Sequence, residues 1–462
     1  MKYFLGIIGG GVAGYTAAAK AIEAGKNVLL FEQNTLGGTC LNVGCIPTKT
    51  LLYSAKQYYN AIHADKYGVN AEQVSFDYTK IQQRKTKVIR KLVAGVKAKL
   101  NSELCTIVSG SASLTPCTPS PKGEGDIKYV ISCNGETYEV ENLLICTGST
   151  NFVPPIPGIQ DNPCVWDSTL ALEAKELPSS IAIVGGGVIG MEFATLYHEL
   201  GVPVTVIEAM PTILPNLDQE VVAILREKYE KASIRILTNT KVKSLTPLTP
   251  SPEGEGECVI HCATADGENI EVQAAKVLIS VGRRANIQGL EALTELEYNR
   301  GAIVVDDFMK TNLPNVYAAG DVTGKIMLAH VASRQAEVAV GRMLKQIPLQ
   351  RIAYNAIPSV VYTNPEIASV GITEDVMDCE VHRLPMTYSG RFVAENEGET
   401  GLCKMLIDKK SKAVMGVHMI GNPCSEFVAA ASFAVRMGYT VAEFQQVVFP
   451  HPTVSEILKE VL

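Results

Sequence analysis

Two stretches of this chain demand the same fold. FLGIIGGGVAGYTAAAKAIEAGKNVLLFE, residues 4–32, runs an apolar strand into Gly9-x-Gly11-x-x-Gly14, continues in an Ala-rich helical pattern, and returns through a second apolar strand to Glu32. SSIAIVGGGVIGMEFATLYHELGVPVTVIE, residues 179–208, repeats the plan with Gly185, Gly187, Gly190 and Glu208. In both, the acid stands 23 residues after the first glycine. Strand, glycine turn, helix, strand and acid form the βαβ unit that holds a dinucleotide. The glycines let the backbone approach a pyrophosphate, the helix N-terminus offers unpaired N–H groups, and the acid accepts a ribose hydroxyl. Two copies mean two dinucleotides, or a duplication with one dead copy. Because both copies keep every glycine and the acid, two live sites are expected.

A second repeat points to internal duplication. LTPCTPSPKGEG (114–125) and LTPLTPSPEGEG (245–256) lie 131 residues apart, whereas the glycine motifs lie 176 apart. The 45-residue difference falls between Glu32 and Leu114, so the first half carries an insertion. The Pro- and Gly-rich repeats read as exposed hairpin tips. The insertion holds GGTCLNVGCIPTK (37–49), followed by two long helical patterns within 48–68 and 80–101. Further on, strand-like runs deliver glycines at NLLICTGST (Gly148) and KVLISVGRRAN (Gly282), and NVYAAGDVTG brings Gly320 and Asp321. Strand ends of this kind approach a cofactor's sugar or polyol. After about residue 345, strand and helix patterns alternate differently, as in IPSVVYTNPEIASVG and SEFVAAASFAVRMG, and a separate α+β domain is expected.

Composition removes several classes. A net charge of -7 argues against a dedicated nucleic-acid binder. No apolar run is long enough to span a bilayer, so no membrane insertion is expected. MKYFLGIIGG enters a strand at once, and 12 scattered cysteines suit a reducing compartment, so a cytoplasmic location is expected. Against that background the close pair Cys40 and Cys45 stands out. It could be a structural disulfide, part of a metal site or a redox couple. The loop is too short to constrain much unfolded chain, and no further ligands lie nearby, so no metal is expected. A redox couple has a use beside two dinucleotides, and a helix beginning near Cys45 would favour its thiolate. FPHPTVSEILKEVL (449–462) supplies His451 and Glu456, an imidazole and a carboxylate suited to proton transfer. Taken alone, His451 reads as a surface histidine before a last helix capped by Thr453 or Ser455.

GGTCLNVGCIPTK, the paired fingerprints, AAGDV and HPTVSE together resemble the pyridine nucleotide–disulfide oxidoreductases. YNAIPSVVYTNPEIASVGITE (354–374) is similar to the dihydrolipoamide-oxidising branch, with Asn364 where that branch more often has His. The resemblance implies an α/β fold of two Rossmann-like domains and a C-terminal α+β dimerisation domain. It divides the chain into an FAD-binding domain with the cysteine segment (1–149), an NAD-binding domain (150–276), a central segment completing the FAD site (277–345) and the dimerisation domain (346–462). It implies FAD on Gly9, Gly11, Gly14 and Glu32, with Gly148 and Asp321 alongside. It implies NAD on Gly185, Gly187, Gly190 and Glu208, with Gly282 on the NAD or flavin side. Glu208 would disfavour the 2′-phosphate of NADP. Lys49 and Glu192 would pair near the flavin ring. Cys40 would exchange with substrate, Cys45 would face the flavin, and His451 with Glu456 would act from the partner subunit of a homodimer. The substrate would be dihydrolipoamide on the lipoyl domain of an E2 subunit or a glycine-cleavage H-type protein. The sequence alternatives are a glutathione- or mercuric-reductase-like enzyme, or a non-catalytic FAD-binding docking subunit.

Overall fold

The computed structural model describes residues 2–115, 129–248, 256–348 and 351–462. In chain order its elements begin with β1 (Lys2–Ile8), α1 (Val12–Glu23), β2 (Val28–Glu32), α2 (Gly38–Asn42), α3 (Cys45–Ile62), α4 (Tyr78–Lys99), β3 (Cys105–Ser109), β4 (Ser113–Thr115), β5 (Tyr129–Cys133), β6 (Glu136–Ile145) and β7 (Ser149–Asn151). They continue with β8 (Val165–Trp166), α5 (Ser168–Glu173), β9 (Ile181–Val184), α6 (Val188–Glu199), β10 (Val204–Ile207), α7 (Gln219–Lys231), β11 (Arg235–Leu237), β12 (Thr240–Pro247), β13 (Cys258–Thr264), β14 (Asn269–Ala274) and β15 (Lys276–Ile279). The last part contains β16 (Arg283–Ala285), β17 (Tyr298–Asn299), β18 (Ala302–Ile303), β19 (Val316–Ala318), α8 (Ala329–Met343), β20 (Ser359–Val361), β21 (Ile367–Gly371), β22 (Cys379–Pro385), α9 (Gly390–Glu395), β23 (Leu402–Asp408), β24 (Val414–Ile420), α10 (Cys424–Met437), α11 (Val441–Gln445) and α12 (Ile457–Glu460).

The chain divides into two compact units. The first gathers residues 1–47, 83–152 and 282–352. Its main sheet runs β3-β2-β1-β6-β5-β4, with β19 also paired to β6. β1, β2, β3, β6 and β19 are parallel, and the apolar side chains of β2 and β19 and most of those of β1 and β6 are buried on both faces, as a covered parallel sheet requires, while β3 at the edge is only partly buried. Small residues let helices close over it: Ala17, Ala18 and Ala21 of α1 share one core with Ala332, Ala336 and Ala339 of α8. A short antiparallel pair, β7 with β16, completes the unit's polar edge.

The second unit gathers 48–82, 153–281 and 353–462. One parallel sheet runs β11-β10-β9-β15-β8, and a three-stranded antiparallel sheet runs β12-β13-β14. The strand order of the two parallel sheets is the same: third, second, first, last. In both, the final strand pairs with the first in parallel, β6 with β1 and β15 with β9. The third sheet, β20-β21-β24-β23-β22, is antiparallel and packs α10 over Val370, Met405 and Val417. This is the α+β domain expected at the C-terminus. Register locates the insertion. Phe31 pairs with Val108, 77 residues later, whereas the equivalent Ile207 pairs with Leu237, 30 later. The extra 47 residues carry α2, α3 and most of α4. Strands β4 and β5, and strands β12 and β13, pair as antiparallel hairpins. The repeated TPSP segments between them lie outside the described residues, apart from their first few positions and Gly256. Among the described residues no helix is long and apolar enough to cross a membrane.

Candidate active site

Each fingerprint closes in the same way. Gly9 and Gly185 have φ of 102° and 107°, the left-handed region that disfavours side chains. A Cβ on Gly14 would lie 1.9 Å from Gly9 O, and one on Gly190 would lie 2.0 Å from Gly185 O. Only glycine lets helix and strand approach this closely. Helices α1 and α6 then start at Gly11 and Gly187 with no side-chain cap and no acid in the first turn. Uncapped N–H groups and the positive end of the helix dipole are what a pyrophosphate needs. Nothing would meet a Cβ on Gly187 within 4 Å, so that approach is open.

The two acids are held alike. Glu32 accepts from the N–H of Gly10 and Asn34, both at 2.8 Å. Glu208 accepts from Gly186 at 2.6 Å and Met210 at 2.7 Å. Each carboxylate is locked at the end of its strand by the turn it faces. On these features the residues of each fold fit the pyrophosphate and ribose of a dinucleotide, the class to which FAD and NAD belong.

The cysteine segment is built directly on the first fingerprint. Gly37 N–H donates to Gly10 O at 2.8 Å, and Gly38 packs backbone to backbone on Gly11, so that a Cβ on Gly38 would lie 2.7 Å from Gly11 Cα. Cys40 lies in α2, half-buried, and Cys45 opens α3, exposed. Asn42 clamps the turn by donating its amide to the carbonyls of Leu36 and Gly38. Tyr15, one turn into α1, was missed in the sequence. Burial raises its phenol above the usual range, and the negative charge of Cys40 and Cys45 raises it further. Its neighbourhood to both sulfurs had no local signature.

Asp321 opens the turn after β19 and accepts the hydroxyl of Ser149 at 2.5 Å. Arg283 holds Ser149 through its Oγ at 2.8 Å and its carbonyl at 2.7 Å, and also binds Asn151. Gly148 and Gly282 have φ of 72° and 118° at the ends of their strands, each with open space where a Cβ would stand. Gly282 therefore sits in the same unit as Gly148 and Asp321.

In the second unit Lys49 pairs with Glu192 through both carboxylate oxygens, at 2.8 and 2.7 Å. Glu192 is buried and also accepts the backbone N–H of Tyr362 at 3.2 Å, while the ammonium lies 4.6 Å from the Tyr362 ring centre. His451 Nδ1 lies 2.9 Å from Glu456 Oε1. The other oxygen of Glu456 accepts Thr453 N–H at 2.8 Å in a capping box. The Thr453 backbone, then His451, hold the Glu456 carboxyl below the usual range. His451 itself is 81% exposed, which leaves Nε2 facing outward. The sequence placed Thr453 or Ser455 as the cap of the last helix; Thr453 instead caps a 3₁₀ turn, Val454–Glu456, that leads into α12, and α12 itself starts from Glu456 with no side-chain cap.

Comparison with known proteins agrees with this geometry. Residues 5–336 match the family model described as pyridine nucleotide-disulphide oxidoreductase, and 357–462 match its dimerisation domain. The chain belongs to the pyridine nucleotide–disulphide oxidoreductase family. It is a flavoprotein disulfide oxidoreductase with FAD and NAD as cofactors and a dimerisation domain at its C-terminus. Among its relatives are the dihydrolipoyl dehydrogenases of Bacillus subtilis, 37% identical over 99% of this chain and 97% of that one, and of Rhizobium etli, 35% identical over 99% and 97%. Among solved structures it is similar to LpdA from Mycobacterium tuberculosis, with TM-score 0.87, 26% identity and coverage of 99% and 98%. It is also similar to the HOCl-induced flavoprotein disulfide reductase RclA from Escherichia coli, with TM-score 0.84, 27% identity and coverage of 99% of each chain.

Proposed function

We propose that this enzyme oxidises dihydrolipoamide carried on a lipoyl domain and reduces NAD⁺, using Cys40 and Cys45 as its redox disulfide. The observation that carries the reading is the backbone contact of Gly38 with Gly11, which seats the cysteine segment on the turn that holds FAD. Full-length relatives named as dihydrolipoyl dehydrogenases support the substrate class. Glu208, locked at the end of its strand, favours an unphosphorylated ribose and hence NAD over NADP.

The chemistry proceeds from the residues. His451 Nε2 accepts the proton of one substrate thiol, and Glu456 stabilises the imidazolium through Nδ1. The substrate thiolate attacks Cys40 Sγ, breaks the Cys40–Cys45 bond and forms a mixed disulfide, with Cys45 leaving as thiolate. His451 hands its proton to the departing Cys40 sulfur and takes that of the second substrate thiol, whose sulfur attacks the substrate's own sulfur in the mixed disulfide. Lipoamide closes and Cys40 leaves reduced. FAD, which Gly9, Gly11, Gly14 and Glu32 would hold, would supply a two-electron acceptor for the dithiol and a hydride donor to NAD⁺, which Gly185, Gly187, Gly190 and Glu208 would hold. Lys49, fixed by Glu192, and Asp321, fixed by Ser149 and Arg283, are the residues that the resemblance assigns to the flavin. The proposed functional division is 1–149, 150–276, 277–345 and 346–462, with 277–345 serving the FAD site. A cytoplasmic enzyme, whose surroundings keep its other thiols reduced, fits the chemistry.

His451 would act on the Cys40 of the partner subunit. Phe433, Met437 and Val448, which are 68%, 63% and 88% exposed in the single chain, would be covered by that partner. Mixing a Cys45→Ser chain with a His451→Gln chain tests this. Each homodimer should be inactive with dihydrolipoamide, and the heterodimer should regain one intact site. A purified heterodimer without activity would place His451 in cis or outside the reaction.

A further inference from the structure

Between Tyr78 and Lys99, helix α4 holds eight Lys and Arg residues and no Asp or Glu. It contributes +8 to a chain of net charge -7, so the rest of the chain carries -15. Val93, Val96 and Leu100 turn toward the core. Lys87, Arg90, Lys91 and Lys97 are all exposed, and their spacings of three, four and seven residues keep them on the opposite face of the helix.

The other exposed helices neutralise such charges. α7 leads into β11, which pairs with β10, just as α4 leads into β3, which pairs with β2. In α7, Arg226 pairs with Glu230 at 2.8 Å and Lys231 with Glu227 at 2.6 Å. In α8, Arg334 pairs with Glu337 at 2.9 Å. In α4 the side chains of Lys87, Arg90, Lys91 and Lys97 have no ion-pair partner among the described residues. Lys97 and Lys99 suit the negative end of the helix dipole, but Lys87, Arg90 and Lys91 lie too far from the end to gain from it. Lys87 instead has cations three and four residues ahead, a like-charge spacing that weakens a helix. Folding gives no reason for this strip.

We propose that the exposed face of α4 docks an acidic face of the protein domain that carries the dithiol substrate. That the partner is the substrate's carrier rests on the reading above; the acidic character of its docking face does not. The cations from Lys87 to Lys99 span about 18 Å, the footprint of a small domain. A nucleic acid or an anionic bilayer reaches well beyond that and would lie against the remaining -15. Each would also lack its second contact. No aromatic residue follows Tyr78 in the helix to stack on a base, and Leu92, 38% exposed, is the one large apolar side chain that α4 shows to solvent. A second copy of the chain seated two-fold on the same strip would set cation against cation. A carrier must be met and released at every turnover, and opposite charge across such an interface raises the rate of encounter.

The test uses the full-length holoenzyme and an acidic lipoyl domain in its reduced form. One variant combines Lys87→Glu, Arg90→Glu and Lys91→Glu, and a second changes the same three positions to Gln. With the lipoyl domain, kcat/KM should fall about tenfold or more in the Glu variant and less in the Gln variant, and the difference should shrink as salt rises from about 20 to about 300 mM. Free dihydrolipoamide should be oxidised as by the wild type. The Gln variant should unfold at the wild-type temperature or above it, because like-charge spacing is relieved. No loss with the lipoyl domain, an equal loss with free dihydrolipoamide, a lower unfolding temperature for the Gln variant or a changed oligomeric state in either variant overturns the proposal. So does a duplex oligonucleotide or an anionic vesicle that binds more tightly than the lipoyl domain and is released by the same substitutions. If the wild type oxidises no dihydrolipoamide, free or carried, the substrate reading falls by itself. The docking face is then judged by fluorescence anisotropy of the labelled lipoyl domain: weaker binding to both variants supports it, and equal binding overturns it.

Discussion

The two dinucleotide folds share one design and differ in one segment. Their glycines adopt the same backbone angles, their acids are held by equivalent N–H groups, and their strand orders coincide. After the acid they part. In the second fold a short loop leads to α7, whose N-cap Asp218 is buried and bound by Lys404 at 2.8 Å. In the first fold 47 more residues intervene, and they bring the two cysteines. The lesson is that the chemistry lies in what was inserted, while the repeated frame supplies binding.

That division can be broken by experiment. The largest effect should come from the inserted segment. Cys40→Ser and Cys45→Ser should each reduce dihydrolipoamide turnover to background while flavin content, read by absorbance, stays full. Loss of flavin in either would show that the insertion is part of the binding frame. Next come the repeated glycines. Gly190→Ala places a Cβ 2.0 Å from a backbone oxygen and should weaken NAD binding roughly 100-fold or more, with FAD retained. Gly14→Ala, with the equivalent clash at 1.9 Å, should yield protein without flavin. If both variants lose the same cofactor, the assignment of one dinucleotide to each fold is wrong.

A smaller effect separates how the folds are anchored. Burial pulls the Lys404 ammonium down, but hydrogen bonds to Asp218, Glu374 and Glu220 more than offset it and raise it above the usual range. Lys404→Met leaves Asp218 buried without its cation and should cost about 3 kcal/mol in denaturant unfolding. A cost under about 1 kcal/mol would mean that α7 is held by its apolar face alone. Glu199 gives the finest distinction. Its folded carboxyl is raised from the ordinary 4.5 to about 7, so the folded state holds a proton that the unfolded state has released. The stability it contributes is present in full below pH 4.5 and is lost as pH rises through 7. The loss should amount to something on the order of 3 kcal/mol. Unfolding midpoints of Glu199→Gln against wild type at pH 5 and pH 8 should therefore diverge, with the variant gaining at pH 8. Parallel pH curves would count against a raised carboxyl at this position.

The sequence could show some of the site because those parts are local. A glycine turn, a strand end and a helix start are each written within a few residues. For that reason Gly9 to Glu32, Gly185 to Glu208, the helix at Cys45 and the Thr453–Glu456 cap could all be read from their neighbours. The insertion could be measured from two repeat spacings, and register puts it within two residues of that figure. Asn364 registered only as a departure from a familiar stretch. Its partner Glu199 lies 165 residues away, and no spacing rule reaches that far.

By itself, then, the sequence determined what each local motif is: two turns shaped for pyrophosphates, two acids for riboses, a dithiol at a helix start and a histidine ahead of a final turn. The tertiary structure decided how those pieces are held. It put Tyr15 beside the cysteines, Arg283 and Ser149 behind Asp321, Lys49 on Glu192 and Lys404 among three carboxylates. The physical reason is burial. A charge or hydroxyl removed from water must find its partner wherever the packed chain provides one, and that partner is chosen by topology, not by nearness along the chain.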